Sequence, residues 1–263
     1  MIAIIIATYN SQATIRQCLE SILKQSLKEV EVIIQDGGSN DDTLSIIEEM
    51  GFSSSVISQK DSGVYHAWNL ALTRVTAQWV TFLGSDDYFK EDDSLSSIRS
   101  EIDIAESLKS RIIYGKNIIV DLDDKLVCEI GDKWEISQKN IYRFMTVRHP
   151  GCFCHITLFK EIGGFDESFK IIGDYDFVLR SIAMSSVYYY DFPAVCHRIG
   201  GLSISPARCM QVIKETYRLR KKHKLKPFLY MDIIFFKRLT LFFLSIFLKD
   251  DIIFFLIKRL KGR

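Results

Sequence analysis

Hydrophobic residues in the first 90 positions follow two alternating rhythms. "IAIIIAT" (2–8) is an unbroken β-rich run, the pattern of a central parallel strand buried on both faces. Ile15, Leu19, Ile22 and Leu23 follow at helical spacing, with Asn10 or Ser11 placed to cap the helix. "EVEVIIQ" repeats the strand pattern, and Leu44, Ile47 and Met50 mark a second helix that Gly51 stops. A short strand near Val56, a helix over Tyr65 to Val75 and the strand "WVTFL" complete the series. Strands alternating with helices of this length predict right-handed crossovers and a mostly parallel sheet.

The second half is more mixed. Ser94 starts a helix carrying Leu95, Ile98, Ile102 and Leu108, and "NIIVDLDDKLVCEI" reads as a hairpin turning at Asp123 and Asp124. "HITLFKEIGGFDESF" predicts a short helix ended by Gly163 and Gly164, and "DYDFVLRSIAM" a helix with Asp174 at its start, where the dipole favours a carboxylate. From Lys226 the pattern changes: apolar runs are broken by charge every few residues, and the longest, Leu239 to Leu248, is far short of the roughly 20 residues that cross a bilayer. One or two amphipathic helices with a cationic rim are expected there.

Charge sharpens that picture. The chain of 263 residues carries a net charge of only +1, yet Arg220 to Arg263 holds twelve Lys or Arg against three Asp. A basic, Phe-rich segment of this kind fits an anionic membrane surface, with a helical hairpin packed on the domain or at a dimer interface as the plainer alternative. Six scattered cysteines include no C-x-x-C, so reduced thiols rather than a zinc site are expected. The apolar opening is too short for a signal peptide, and the expected location is the cytoplasm, peripheral on the cytoplasmic face of the inner membrane. Nothing in the composition calls for a nucleic-acid partner.

Ligands of parallel sheets bind outside the carboxyl ends of the strands. Three polar clusters fall there: "TYN" (8–10), "DGGSNDD" (36–42) and "GSDD" (84–87). Asp86 and Asp87 alone read as solvated turn residues. On the same sheet edge as Asp36 they become candidates for a hard divalent cation, Mg²⁺ or Mn²⁺, that keeps open positions for a diphosphate. No G-x-G-x-x-G follows the first strand and no G-x-x-x-x-G-K-[ST] occurs, which argues against dinucleotide dehydrogenases and P-loop NTPases.

The series "IIIATYNS", "EVIIQDGGSNDDT", "DSGVYHAWNLAL", "WVTFLGSDD", "HPGCFCHITLFKEIGGFDESFKIIGDYDFVLR" and "GGLSIS" resembles the family-two glycosyltransferases with the GT-A fold, within them the bacterial O-antigen and surface-polysaccharide type. The resemblance implies an α/β, Rossmann-like nucleotide-binding sheet with flanking helices, divided into a nucleotide-sugar half (1–115), an acceptor half (116–205) and a basic amphipathic tail (206–263). It implies that Thr8, Tyr9, Asp36, Asp61, Gly63, Tyr65, Asn69 and Asp86 surround the nucleotide. It implies Asp87 as metal ligand, with His197 or the "RIGG" loop beside the diphosphate and His197 as a further candidate ligand. Asp174 matches the catalytic base, with Asp176 kept as a second candidate.

Two departures accompany the match. Gly84 stands where many relatives have another Asp, and Gly173 where a Glu often precedes the base. The processive synthases' Q-x-x-R-W is missing, so one sugar per encounter is expected. The activity implied is inverting transfer of a hexose (glucose or galactose, or an N-acetylhexosamine) from a UDP-sugar to a sugar on a polyprenyl diphosphate. A sugar-nucleotide nucleotidyltransferase and a non-catalytic membrane-bound scaffold are the alternatives. His149 or His155 facing the acceptor is balanced by a structural role for each, and Arg180 and Arg198 by structural ion pairs. His66, Trp68 and the Tyr188–Tyr190 run read as packing.

Overall fold

The computed structural model describes residues 1–199 and 208–225, together with Thr240. Its first half alternates β1 (Ile2–Thr8), α1 (Ile15–Leu23), β2 (Val30–Asp36), α2 (Thr43–Glu49), β3 (Val56–Ser58), α3 (Val64–Leu72) and β4 (Trp79–Gly84). There follow β5 (Tyr88–Phe89), α4 (Ser94–Ser107), β6 (Ile112–Val120), β7 (Leu126–Ile130), α5 (Trp134–Asn140), β8 (Phe153–His155), α6 (Ile156–Ile162), α7 (Gly173–Ile182), β9 (Val187–Arg198) and α8 (Cys209–Lys222).

The strands form one sheet in the order β3-β2-β1-β4-β8-β6-β9-β5, with β7 paired to β6. The block β3-β2-β1-β4 is parallel throughout, as the alternating pattern predicts. Beyond it the sheet is mixed. β8 runs antiparallel to both β4 and β6, while β6 and β9 are parallel to each other. The reason is local: β8 is three residues long and is reached by the 141–152 loop rather than by a helical crossover, so the handedness rule for parallel units does not govern it.

The unbroken apolar run of β1 is explained by the two cores it separates. Ala3 and Ile5 enter one cluster with Phe82, Phe165 and Phe177; Ile2, Ile4 and Ile6 enter the other with Leu19, Trp79 and Leu95. Successive side chains on a strand point to opposite faces, so a strand covered on both sides has no polar positions to spare.

One helix start differs from expectation. α1 is preceded by Thr14, not by Asn10 or Ser11. Those two residues are taken by a second loop: Asn10 N–H donates to Ser39 Oγ at 2.8 Å, Ser11 N–H to Thr43 Oγ1 at 2.7 Å, and Asn40 N–H to Asn10 Oδ1 at 3.0 Å. The loops after β1 and β2 are thereby stitched together. Asp123 and Asp124 do turn the β6–β7 hairpin, Asp124 with a positive φ of 59°.

The expected tail divides. Helix α8 buries Val212 and Leu219, the latter in the same cluster as Tyr175 and Phe177, so this helix is part of the domain. The segment from Lys226, apart from Thr240, lies outside the described residues, as do residues 200–207. Among the described residues no helix is long and apolar enough to cross a membrane.

Candidate active site

Strand register lines up the polar clusters. Thr8 pairs with Asp36, Asp36 with Ser58, and Ala7 with Gly84, so the carboxyl ends of β3, β2, β1 and β4 form one row. Thr8 is buried and its hydroxyl has no hydrogen-bond partner among the described residues. Beside it Tyr9 projects its ring, 61% exposed. A buried orphan hydroxyl next to an exposed aromatic ring suits a ligand with both a polar edge and a flat face.

Asp36 is held by the residues of its own loop and of β3. It is fully buried, and its Oδ2 accepts from Gly38 N–H and Ser39 N–H, both at 2.9 Å, and from Ser58 Oγ at 2.6 Å; its Oδ1 accepts from Ser39 Oγ. Its carboxylate therefore builds the loop. Asp61 keeps one oxygen facing the row. Oδ1 accepts from Gly63 N–H at 2.8 Å, whereas Oδ2 lies over Gly37, where a Cβ would sit 2.8 Å from it and 3.4 Å from the Tyr9 ring.

Asn69 and Tyr65 are drawn away from that edge. Both ends of the Asn69 amide are engaged: Nδ2 donates to the Phe165 carbonyl and to Glu167, and Oδ1 accepts from Phe165 N–H at 2.8 Å. Tyr65 is buried under α7, its hydroxyl 2.7 Å from the Ile171 carbonyl and 3.1 Å from Asp174 Oδ1.

Asp86 and Asp87 lean over Gly84 together. A Cβ there would lie 2.7 Å from Asp86 Oδ1 and 2.8 Å from Asp87 Oδ2. Asp87 is buried, and its Oδ1 is held by His197 Nδ1 at 2.9 Å and Arg198 N–H at 3.1 Å. Burial, and then the charge of Asp87, raise the pKa of Asp86. Burial opposes the charged form of His197, but Asp87 outweighs it and the net shift is upward.

Asp174, half-buried in the first turn of α7, is pushed up to about 6. Burial is the main cause, offset by hydrogen bonds from Tyr175 N–H and Tyr65 and by the charge of Arg148. Asp176 lies on the other side of α7 at 0% exposure. It pairs with Arg180 at 2.9 Å and with Lys222 and His223 at 2.8 Å each, an ion cluster that encloses its carboxylate. The reservations about other polar residues resolve structurally. His149 stacks on Trp68 with ring centroids 5.0 Å apart, and burial lowers it to about 3. His155 caps α6. Arg180 bonds Asp176 and the carbonyls of Ile162 and Gly164; Arg198 bonds Asp124 and Gln17.

Arg148 joins the two carboxylate groups. It forms no ion pair or hydrogen bond with a described residue. Its charge is felt at Asp174, where it favours the carboxylate, and at His197, where it opposes protonation. It also lines a cavity of about 280 Å³ with Gly131, Asp132, Phe144, Met145 and Thr146. The charge of one cation is thus felt by both the base candidate and the Asp87–His197 pair, and the same residue lines the cavity.

The sequence profile of Glycosyl transferase family 2 matches residues 3–154. The chain belongs to that family. Mycobacterium tuberculosis PGL/p-HBAD biosynthesis glycosyltransferase Rv2957 is 30% identical over 77% of this chain and 79% of its own length. Escherichia coli chondroitin synthase is 30% identical over 68% of this chain but 26% of its own length. Among solved structures, S. aureus TarS 1–349 in complex with UDP-GlcNAc superposes with TM-score 0.63 at 20% identity, over 95% of this chain and 76% of that one. The chain spans 39% of the longer S. aureus TarS structure. Mannosyltransferase PcManGT from Pyrobaculum calidifontis, in complex with GDP-Man and Mn²⁺, gives TM-score 0.63 at 15% identity over 86% of this chain and 65% of that one. The fold is GT-A.

The family-two site also explains both departures in the motifs. At Gly84 a side chain would occupy the space into which Asp86 and Asp87 turn. At Gly173 a Cβ would lie 2.8–3.0 Å from three ring atoms of Tyr65, the residue that touches Asp174. A divalent cation fits the acidic pair. Asp86 Oδ1 and Asp87 Oδ2 turn to one spot, and a Mg²⁺-type site needs only one or two carboxylates besides phosphate and water. Among the described residues no group of three or more His, Cys, Asp or Glu that could hold a metal ion occurs.

Sequence reasoning missed Arg148 and Glu215. Arg148 was legible only as a lone cation before "HPG"; Glu215 stands between Val212 and Leu219 on the buried face of α8, and an acid at that helical spacing is the available signal. The substitution Gly173→Ala tests the close packing under Asp174. Better helix propensity gains about 1 kcal/mol, whereas overpacking against a buried ring costs about 1–3 kcal/mol. Net destabilisation in thermal unfolding is expected.

Proposed function

We propose that the chain is an inverting, non-processive hexosyltransferase that uses a UDP-sugar and a lipid-diphosphate-linked sugar in surface-polysaccharide synthesis. The observation that carries the reading is the meeting of Asp86 Oδ1 and Asp87 Oδ2 over Gly84 at the carboxyl end of β4, with Asp174 and the Asp87–His197 pair both within reach of the charge of Arg148, a cation that no described residue pairs. The complexes of structural neighbours with UDP-GlcNAc and with GDP-Man and Mn²⁺ support a nucleotide-sugar donor.

The nucleotide lies along the row of strand ends. Thr8 offers its unpaired hydroxyl, Tyr9 its exposed face, and Asp61 Oδ2 an acceptor for a ring N–H, while Asp36 and Gly63 hold the loops that frame them. Asp86 and Asp87, with His197 adjacent, would hold Mg²⁺ or Mn²⁺, which when bound supplies positive charge against the diphosphate. Arg148 adds its own charge to the same region. Asp174 takes the proton from the acceptor hydroxyl as that oxygen attacks the anomeric carbon and the bond to UDP breaks. One displacement from the face opposite UDP inverts the anomeric centre. The tail beyond Lys226, with its concentrated positive charge and phenylalanines, keeps this site at the membrane surface where a lipid-linked acceptor resides.

A base must be ionised to act. With Asp174 titrating at about 6, kcat/KM at fixed metal concentration is expected to fall about tenfold per pH unit below that value and to level off above it. Asp174→Asn is expected to abolish transfer while UDP affinity in calorimetry stays within about threefold of wild type; turnover above about 10% of wild type would move the base elsewhere.

Arg148→Ala should lower kcat/KM for the UDP-sugar on the order of tenfold, since a charge facing the leaving group is lost. Because Arg148 favours the Asp174 carboxylate, its removal should also move the acid limb of the profile to higher pH. An unchanged acid limb would separate Arg148 from the base.

Incubation with Mn²⁺ and a panel of UDP-sugars plus a lipid-diphosphate-GlcNAc acceptor, against a nucleoside triphosphate plus sugar phosphate, discriminates the reaction classes. Release of UDP supports the proposal, release of pyrophosphate indicates a nucleotidyltransferase, and neither indicates a scaffold. Truncation after Leu225, which retains α8, should release the protein from membranes in sedimentation. A truncated protein that still sediments with them would refute the anchor.

A further inference from the structure

Helix α8 lies outside residues 3–154, where the family match ends. One of its side chains nevertheless reaches the chain that delivers Asp174. Glu215 is buried, and its carboxylate accepts from three consecutive backbone amides: Lys170 N–H to Oε1 at 2.9 Å, then Ile171 N–H at 2.9 Å and Ile172 N–H at 3.2 Å to Oε2. Gln211 Nε2, one turn earlier on α8, donates to the same Oε1 at 3.1 Å.

Those three amides immediately precede α7 and would otherwise be buried or half-buried without acceptors. A carboxylate meets this need better than a neutral group, because bonds from backbone N–H to an ionised acceptor are about twice as strong as neutral ones. The opposite side of the same segment is also held. Tyr65 reaches the Ile171 carbonyl and Asp174 Oδ1, and Lys170 Nζ donates to the Ser62 carbonyl at 2.8 Å. Around this clamp, Arg218 of α8 stacks over Phe169 at 4.1 Å and Lys222 pairs with Asp166 at 2.8 Å.

We propose that Glu215 is a positioning residue for transfer, fixing the 170–172 backbone so that Asp174 meets the acceptor hydroxyl, and that α8 is thereby a working part of the active site. The inference rests on Asp174 being the base. Misplacing a reacting group by about 1 Å can cost on the order of a hundredfold in rate, which sets the expected scale.

The test compares wild type, Glu215→Ala and Glu215→Gln as full-length chains, below the unfolding temperature of each. In Glu215→Ala, kcat per folded molecule is expected to fall roughly 10- to 100-fold, while the UDP dissociation constant stays within about twofold. Glu215→Gln, whose amide oxygen still accepts, should recover part of the loss. Amide hydrogen exchange of the 170–172 segment should accelerate in Glu215→Ala relative to peptides of β1. A kcat within twofold of wild type, or a UDP affinity that collapses together with kcat, would overturn the positioning role. The exchange measurement stands without turnover: if wild type proves inactive the proposed reaction fails, and unchanged exchange at 170–172 separately refutes the clamp.

Discussion

Negative charge gathered at one sheet edge is the constraint around which the molecule is organised. Two unit charges about 4 Å apart interact by about 4 kcal/mol at the effective dielectric of a protein surface, so neighbouring carboxylates must be given partners or left facing something positive. The structure does both. Asp36 is satisfied by its own loop, and one oxygen of Asp87 by His197 and the Arg198 amide. Asp86 and the other oxygen of Asp87 are left turned over Gly84, and burial with mutual repulsion raises the pKa of Asp86. The fold thus leaves a defined deficit of positive charge where a diphosphate and its counter-cation are proposed to sit.

The parallel block was legible because strands covered on both faces leave an unmistakable apolar run, and because register then aligns their carboxyl ends without further information. The positions of Asp86, Asp87 and Asp174 were legible for the same reason: each sits at an element boundary that the pattern itself marks. The hydrogen-bond partners of Asp36, Asn69 and Tyr65 were not legible. Whether Asp36 serves a ligand or its own turn depends on Ser58 arriving from β3, and the Asn69 amide is claimed by a backbone segment 96 residues away. Contacts of that range are fixed by tertiary packing, and a polar residue in a motif reads the same in either case. The mixed right-hand part of the sheet was obscured similarly, since the three-residue β8 carries too few positions for a period to show.

Space explains what composition could not. Glycine at 84 and at 173 interrupts the acidic motifs, yet each gap is filled by a neighbour: the carboxylates of Asp86 and Asp87 in one case, the Tyr65 ring in the other. An additional acid at either position would compete for volume already used to orient an acid. The motif departures are therefore changes in packing around the same charge arrangement, and they leave the acidic edge intact.

Asp174 and Asp176 show how two like residues on one helix acquire opposite characters. Burial raises both, but Asp176 is overwhelmed by His223, Lys222 and Arg180 and held well below the usual carboxylate range, whereas Asp174, with neutral hydrogen-bond donors and the smaller effect of the Arg148 charge, rises to about 6. A carboxylate bound by three cations is a weak proton acceptor; one titrating near neutrality is matched to taking a proton from a hydroxyl as it attacks. Two of the three groups that disable Asp176, Lys222 and His223, come from α8 or its C-cap, and so does Glu215, which grips the backbone leading to Asp174. The same helix that pairs one acid holds the backbone leading to the other, so the contrast between Asp176 and the proposed base Asp174 depends on a single packing event at the end of the domain.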